Sequence, residues 1–217
     1  MLTRRGGYLR WRPDEEAPDE SHHLQDEGWV LLRGVLSAGE VAELTADIER
    51  VYAQVPADRR RPERDPVELE QFRYEMLNRS AACQWVVGHR RILDVVEPLL
   101  GEDCHVIANT AWWNPPDVTH THGGGRWHLD AGPHVPRPEG VPWDERIPYP
   151  VFAVAGHVVL RDCPTECGPT GVIPRSHTSG RTPPADRLDD PALTWEHHRP
   201  IVLEAGRNRR RRTRVRS

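Results

Sequence analysis

Apolar residues in the first half of the chain recur at helical spacing. In the second half they come as short runs cut by turn residues. Ser21–Glu27 predicts one or two helical turns ending at Gly28, and Trp29–Arg33 reads as a short apolar strand. Ser37 with Glu40 three residues later is a capping-box signal. It predicts a helix through about Tyr52, with Val41, Leu44, Ile48 and Val51 on one face. Pro56–Pro66 is charged and proline-bearing, hence a loop, and Phe72–Leu77 is a candidate strand. Ser80 caps a second predicted helix running to about Leu100, where Gly101 ends it. From Cys104 onward the apolar runs are Cys104–Trp113, Arg126–Asp130, Val151–Leu160, Gly171–Ile173 and Pro200–Leu203, separated by Gly, Pro and Asp.

Helices first and strands after read as α+β. The expected architecture is a small jelly roll braced on its outside by the two helices. Such a sheet pair brings inward-facing side chains together from both layers, which suits a ligand or metal site. The division expected is a polar N-terminal arm at 1–20, one domain at 21–205 and an arginine-rich tail at 206–217.

A chain of 217 residues with 37% hydrophobic and 29% charged residues can bury one full core and reads as soluble. No apolar run approaches the roughly 18 residues of a membrane span, and the N-terminus lacks an apolar signal core, so a cytoplasmic location is expected. All 29 basic residues are arginine. Seven of them fall in 206–217, leaving 22 arginines against 33 acidic residues, a net −11, in residues 1–205. An acidic body argues against a nucleic-acid or anionic-membrane surface. Four cysteines in a chain this long do not make a disulfide framework and are read as reduced thiols; Cys163 and Cys167, the one close pair, lack a second pair to complete a zinc site.

The candidate chemistry centres on Trp127-His128-Leu129-Asp130, preceded by Gly123-Gly124-Gly125. On a strand, residues two apart share a face, so His128 and Asp130 would stand side by side while Leu129 packs the other way. One imidazole and one carboxylate are two of the three ligands in the facial triad that holds non-haem Fe(II). The bland alternative is a surface pair flanking a core leucine. Trp112, Trp113 and Trp127 lie on or beside these strands, with the core as the default reading and a pocket wall as the other. Asn109 on the preceding strand is within reach of a co-substrate, but nothing in the pattern selects it.

A second segment narrows the choice. Asp162-Cys163-Pro164 is followed by Gly168-Pro169-Thr170-Gly171-Val172-Ile173-Pro174-Arg175-Ser176-His177, and an earlier stretch reads Asp26-Glu27-Gly28-Trp29-Val30-Leu31-Leu32-Arg33-Gly34-Val35-Leu36-Ser37. Together with Arg126–Asp130, over about residues 22–205, these resemble the phytanoyl-CoA dioxygenase family of Fe(II)/2-oxoglutarate oxygenases. The resemblance implies a jelly-roll (double-stranded β-helix) fold, iron bound by His128 and Asp130, 2-oxoglutarate as co-substrate, O2 as oxidant and hydroxylation of a small organic molecule. The carboxylate at Asp130 favours hydroxylation over halogenation. The Ser-His end of the second motif lies near the family's site without being its usual ligand, and Arg175 stands where the family usually has glycine, which predicts an altered turn.

The chain departs from the family pattern at its end. The family's third ligand is a late histidine, followed by an arginine that grips the distal carboxylate of 2-oxoglutarate. Here the sequence after Leu203 runs Glu204-Ala205-Gly206-Arg207 into an arginine-rich stretch with no histidine and no strand alternation, so the late strands are expected to be missing. A shifted reading frame, a true basic tail on a degenerate member and a polyanion-binding arm are three accounts of it. His177 is the first internal candidate for the third ligand, and His197 and His198 come next. Among the remaining histidines, His120-Thr121-His122 and His134 are read as loop residues, and His89 and His105 as structural or exposed. The rival functions are a catalytically inactive member of the same fold and a binding protein that uses its basic tail.

Overall fold

The computed structural model describes residues 2–5, 8–11, 17–57, 66–113, 127–129, 138, 141–144, 146–147, 149–163, 169–179 and 201–202. They form a mixed helix-and-sheet protein in which strands pair two by two. β1 (Leu2–Arg5) and β2 (Tyr8–Trp11) make an antiparallel hairpin within the segment expected to be a polar arm. β3 (Phe72–Tyr74) pairs antiparallel with β4 (Thr110–Trp112), and β5 (Gly171–Val172) with β6 (Ile201–Val202).

The capping box forms as its sequence predicts. The backbone N–H of Glu40 donates to Ser37 Oγ (3.3 Å), and the Ser37 N–H donates to the Glu40 carboxylate (2.7 Å). It opens α2 (Ala38–Gln54), which buries Leu44 and Val51, seven residues and two turns apart. These two pack with Met76, Ala82, Cys83 and Val86 into the main core, flanked by Ile48, Ala111 and Leu160.

The predicted long helix from Ser80 is two helices, α4 (Ala81–Val87) and α5 (Arg90–Leu100). Gly88 ends the first, its N–H still donating to the Gln84 carbonyl at 3.4 Å. His89 then caps the second, its Nδ1 accepting from the Arg91 N–H at 3.2 Å. The cap of α4 is also a tertiary joint. Ser80 is buried; its Oγ accepts from the Cys83 N–H (3.0 Å) and donates to the Asp47 carboxylate on α2. Hydrogen bonds from Ser80 and Arg50 hold the Asp47 carboxyl below its usual range.

The β3–β4 pair has two unlike faces. Arg73 and Ala111 sit opposite each other and face α2. The Tyr52 hydroxyl of α2 lies 2.5 Å from the Gln71 carbonyl and 3.1 Å from that of Ala111. Burial pushes the Tyr52 phenol up to about 12, against the opposing pull of Arg73. The guanidinium of Arg73, only 6% exposed, lies 4.5 Å from the centroid of the Tyr52 ring. It donates to the carbonyls of Val55 (2.8 Å), Glu70 (2.9 Å) and Phe72 (2.8 Å). A buried cation is tolerable here because carbonyl oxygens take up its donors.

Several sequence expectations are corrected. The Phe72–Leu77 strand stops at Tyr74, because Glu75 turns left-handed (φ 58°) and a 3-10 turn, Met76–Asn78, follows. Asn109 Oδ1 accepts from the Leu77 N–H at 2.7 Å and so holds this turn. Trp29–Arg33 and Val151–Leu160 carry no ladder bonds among the described residues. An apolar run becomes a strand only through a partner for its backbone, and hydropathy does not supply one.

Ser80→Ala removes a helix cap and the partner of Asp47 in one step. We expect it to lower the unfolding free energy by roughly 1–2 kcal/mol, read from the urea midpoint at unchanged slope.

Candidate functional site

β5 and the turn that follows it organise the candidate site. Ile173, directly after β5, is buried, and Trp127 packs against it. That contact anchors Trp127, the neighbour of His128. Trp127 and Leu129 are half-buried and His128 between them is exposed, the alternation expected of a strand with its imidazole turned outward. Asp130 lies outside the described residues, as do His120, His122, His134, His197, His198 and Cys167. Among the described residues no group of three His, Cys, Asp or Glu side chains is placed to hold a metal ion. Cys83 and Cys104 are free thiols.

His177 is placed with α1 (Asp19–Glu27). That helix is short, and its last carbonyls have no partners within it. Gly28, left-handed at φ 79°, satisfies one by donating its N–H to the Leu24 carbonyl at 3.0 Å. The turn after β5 satisfies two more. The His177 imidazole Nε2 lies 2.9 Å from the Gln25 carbonyl, and the Arg175 N–H donates to that of Glu27 at 2.8 Å. Arg175 adopts the left-handed conformation (φ 62°) that glycine would adopt freely. Its guanidinium lies 3.8 Å from the Glu27 carboxylate, a cation at the negative end of the helix.

The other side of the His177 ring meets Gly28. A Cβ at Gly28 would come within 2.4 Å of Nδ1, a contact no side chain tolerates. Gly28 is therefore required twice, by its dihedral and by the imidazole over it. The helix-stop signal revealed the first requirement and not the second. Nδ1 is buried and has no hydrogen-bond partner among the described residues, and the Tyr149 ring meets His177 at 81° with 5.5 Å between centroids. With Nε2 carrying the proton for Gln25, the neutral imidazole fits this setting. Burial lowers the His177 pKa from its usual 6.5, with a further downward push from Arg175, while the Gln25 carbonyl, Glu27 and Asp26 oppose.

The other candidates separate. Trp112 and Trp113 are 49% and 50% exposed, so the core reading fails for them, while Trp127 is half-buried against Ile173. His105 is exposed. A cavity of about 320 Å³ opens between α1, the end of α5 and Tyr149–Val151, and one of about 380 Å³ lies over Asp47 and Arg50; neither is lined by His128 or His177.

A sequence model of phytanoyl-CoA dioxygenase matches residues 24–207, well over half of the chain. The chain belongs to the phytanoyl-CoA dioxygenase family. The match takes in the α1 terminus, the His128–Asp130 segment and the turn that carries His177. This places the chain in an oxygenase-type family whose members generally use Fe(II) and 2-oxoglutarate, and which implies a small-molecule substrate and O2. Comparisons with curated proteins and with solved structures give no match. No helix among the described residues is long and apolar enough to cross a membrane.

Two outcomes follow from the His177 packing. Gly28→Ala should destabilise by roughly 1–3 kcal/mol, and by less in a His177→Ala background, in a double-mutant cycle of denaturant melts. Stability should also depend on pH through His177. Above pH 6.5 neither the folded nor the unfolded state binds the proton, and the contribution is complete. As pH falls below 6.5 the unfolded chain takes up the proton first, and stability drops by at most about 1.4 kcal/mol per pH unit until the lower folded pKa is passed. The difference between wild type and His177→Gln isolates this slope.

Proposed function

We propose that the chain is an Fe(II)- and 2-oxoglutarate-dependent dioxygenase that hydroxylates a small organic substrate. In this reading the strand pairs belong to a jelly roll braced by α2, α4 and α5, and the protein works in the cytoplasm. The observation that carries it is the anchored alternation at Trp127–Leu129 inside the family match: Trp127 is fixed on Ile173 and His128 is turned out beside Asp130 in sequence.

The donor set suits the metal. An imidazole and a carboxylate are ligand types that non-haem Fe(II) accepts, and their spacing allows both to reach one ion. His128 and Asp130 would hold it. Bound iron, with 2-oxoglutarate and O2, supplies the oxidant that converts C–H to C–OH as 2-oxoglutarate goes to succinate and CO2. The protein's residues fix the ligands and keep the site in shape. Trp127, by its contact with Ile173, ties His128 to β5.

His177 is the remaining member of the expected ligand set. Nε2 is engaged by Gln25 and Nδ1 faces Gly28, so ligation would require the ring to leave α1. The contacts favour a positioning role, in which His177 clamps the end of α1 onto the turn after β5. His197 and His198 then stand as the internal candidates for the third position.

The test is an anaerobic titration with Fe(II) and then 2-oxoglutarate, followed by the visible charge-transfer band of the ternary complex. Wild type should give the band, and His128→Ala should abolish it. Loss of an outer partner of a metal ligand alone weakens binding roughly 10–100-fold, and loss of a ligand exceeds that. His177→Gln should keep the band. A folded wild-type protein with no band would make the chain an inactive member of the family.

A further inference from the structure

The joint between the last turn of α1 and the turn after β5 accepts only one charge state of His177. Nε2 lies 2.9 Å from the Gln25 carbonyl and carries its proton there. Nδ1 is buried, without a partner among the described residues, and lies so close over Gly28 that a Cβ would come within 2.4 Å of it. A second proton would make an N–H pressed against Gly28, with no acceptor and no space for a water between them. The groups around the ring do not rescue it. The Asp26 and Glu27 carboxylates of α1 attract a charged ring, but Arg175 on its own turn repels it, Tyr149 brings only its ring, and burial outweighs the attraction.

Little else holds this joint. The Arg175 N–H donates to the Glu27 carbonyl at 2.8 Å, and the pair between the Arg175 guanidinium and the Glu27 carboxylate is partly exposed and therefore weak. The first turn of α1 is fastened separately to α5, Ser21 to the Val95 carbonyl and Glu20 to Arg91. Neither α1 nor His177 contributes to the main core around Leu44, Val51 and Met76. The end of α1 is thus able to part from the turn after β5 while that core stays packed.

We propose that His177 is an acid-released latch: a second proton on its imidazole drives the ring off Gly28 and opens the joint between α1 and the turn after β5 without unfolding the core. The turn it frees begins at Ile173, the residue on which Trp127 packs beside His128 in sequence. The latch rests on these contacts and is independent of the oxygenase reading.

The experiment is amide hydrogen exchange of the full chain by NMR, with rates corrected for intrinsic pH dependence, in buffer and in urea below the unfolding transition. The Gly28 and Arg175 amides, bonded to the Leu24 and Glu27 carbonyls, report on the joint, and the Val55 amide, bonded to the Val51 carbonyl of α2, reports on the core. The joint amides should exchange faster than Val55 and respond less to urea, since a local opening exposes little surface. Their protection should fall by up to about tenfold between about pH 7.5 and 5.5, as the released ring takes up its proton ahead of the latched one. His177→Gln should abolish this fall, whereas His23→Gln, which removes a titratable ring elsewhere on α1, should preserve it. Joint amides as slow and as urea-sensitive as Val55 overturn the latch, and so does an equal fall in His177→Gln. The ring itself decides the matter in wild type if His177→Gln does not fold: its nitrogen shifts should show Nδ1 bare in the latched state and proton uptake in step with joint exchange, and a proton on Nδ1 in the latched state overturns the proposal.

Discussion

Two strands of three residues cannot cover themselves, and the contact between α2 and the β3–β4 pair determines which of their faces joins the core. Tyr52 and Arg73 make that contact specific. The phenol reaches carbonyls of both chain segments, at Gln71 and Ala111, and the guanidinium lies over the phenol ring while donating to three further carbonyls. Polar groups this buried tolerate one arrangement, because any slip leaves a donor or acceptor without a partner. Ala111 is small enough to let α2 approach, and Trp112, next along the strand, is then turned to the opposite side. Phe72, Tyr74 and Trp112 lie near one another.

A second joint works by the same logic at the end of α1. A nine-residue helix is too short to be stable through its own hydrogen bonds. Ser21 fixes its first turn to α5, with a fully buried hydroxyl donating to the Val95 carbonyl at 2.9 Å. Its end is finished by Arg175 and His177, which come from some 150 residues further along the chain. The segment that flanks Ile173, and through it Trp127 and His128, is thereby tied to the first helix. A family motif that ends in Ser-His acquires a physical meaning here: the histidine completes a helix terminus, and the glycine beneath it makes room for the ring.

Local signals were legible where the energy is local. Ser37 and Glu40, Ser80, Gly28 and Gly101 marked helix ends correctly, because caps are short-range hydrogen bonds and left-handed turns that a few residues specify. The helix break at Gly88-His89 escaped notice because the apolar stripe runs on through it, and periodicity does not register a single glycine. Apolar runs such as Val151–Leu160 looked like strands for the same reason, since alternation records burial on one side and is silent about whether a partner backbone exists.

The sequence by itself determined the family and the ends of the main helices, since each depends on residue type and near-neighbour geometry; it did not show that strands also come before and between the helices. Tertiary structure alone decided the rest. It exposed Trp112 and Trp113, which tryptophan's size and hydrophobicity had assigned to the core. It committed Asn109 to a turn, and it seated His177 between Gln25 and Gly28. The role of a histidine depends on which groups face its two nitrogens. Here those groups lie on α1, and no short-range rule connects residue 177 to residues 25 and 28.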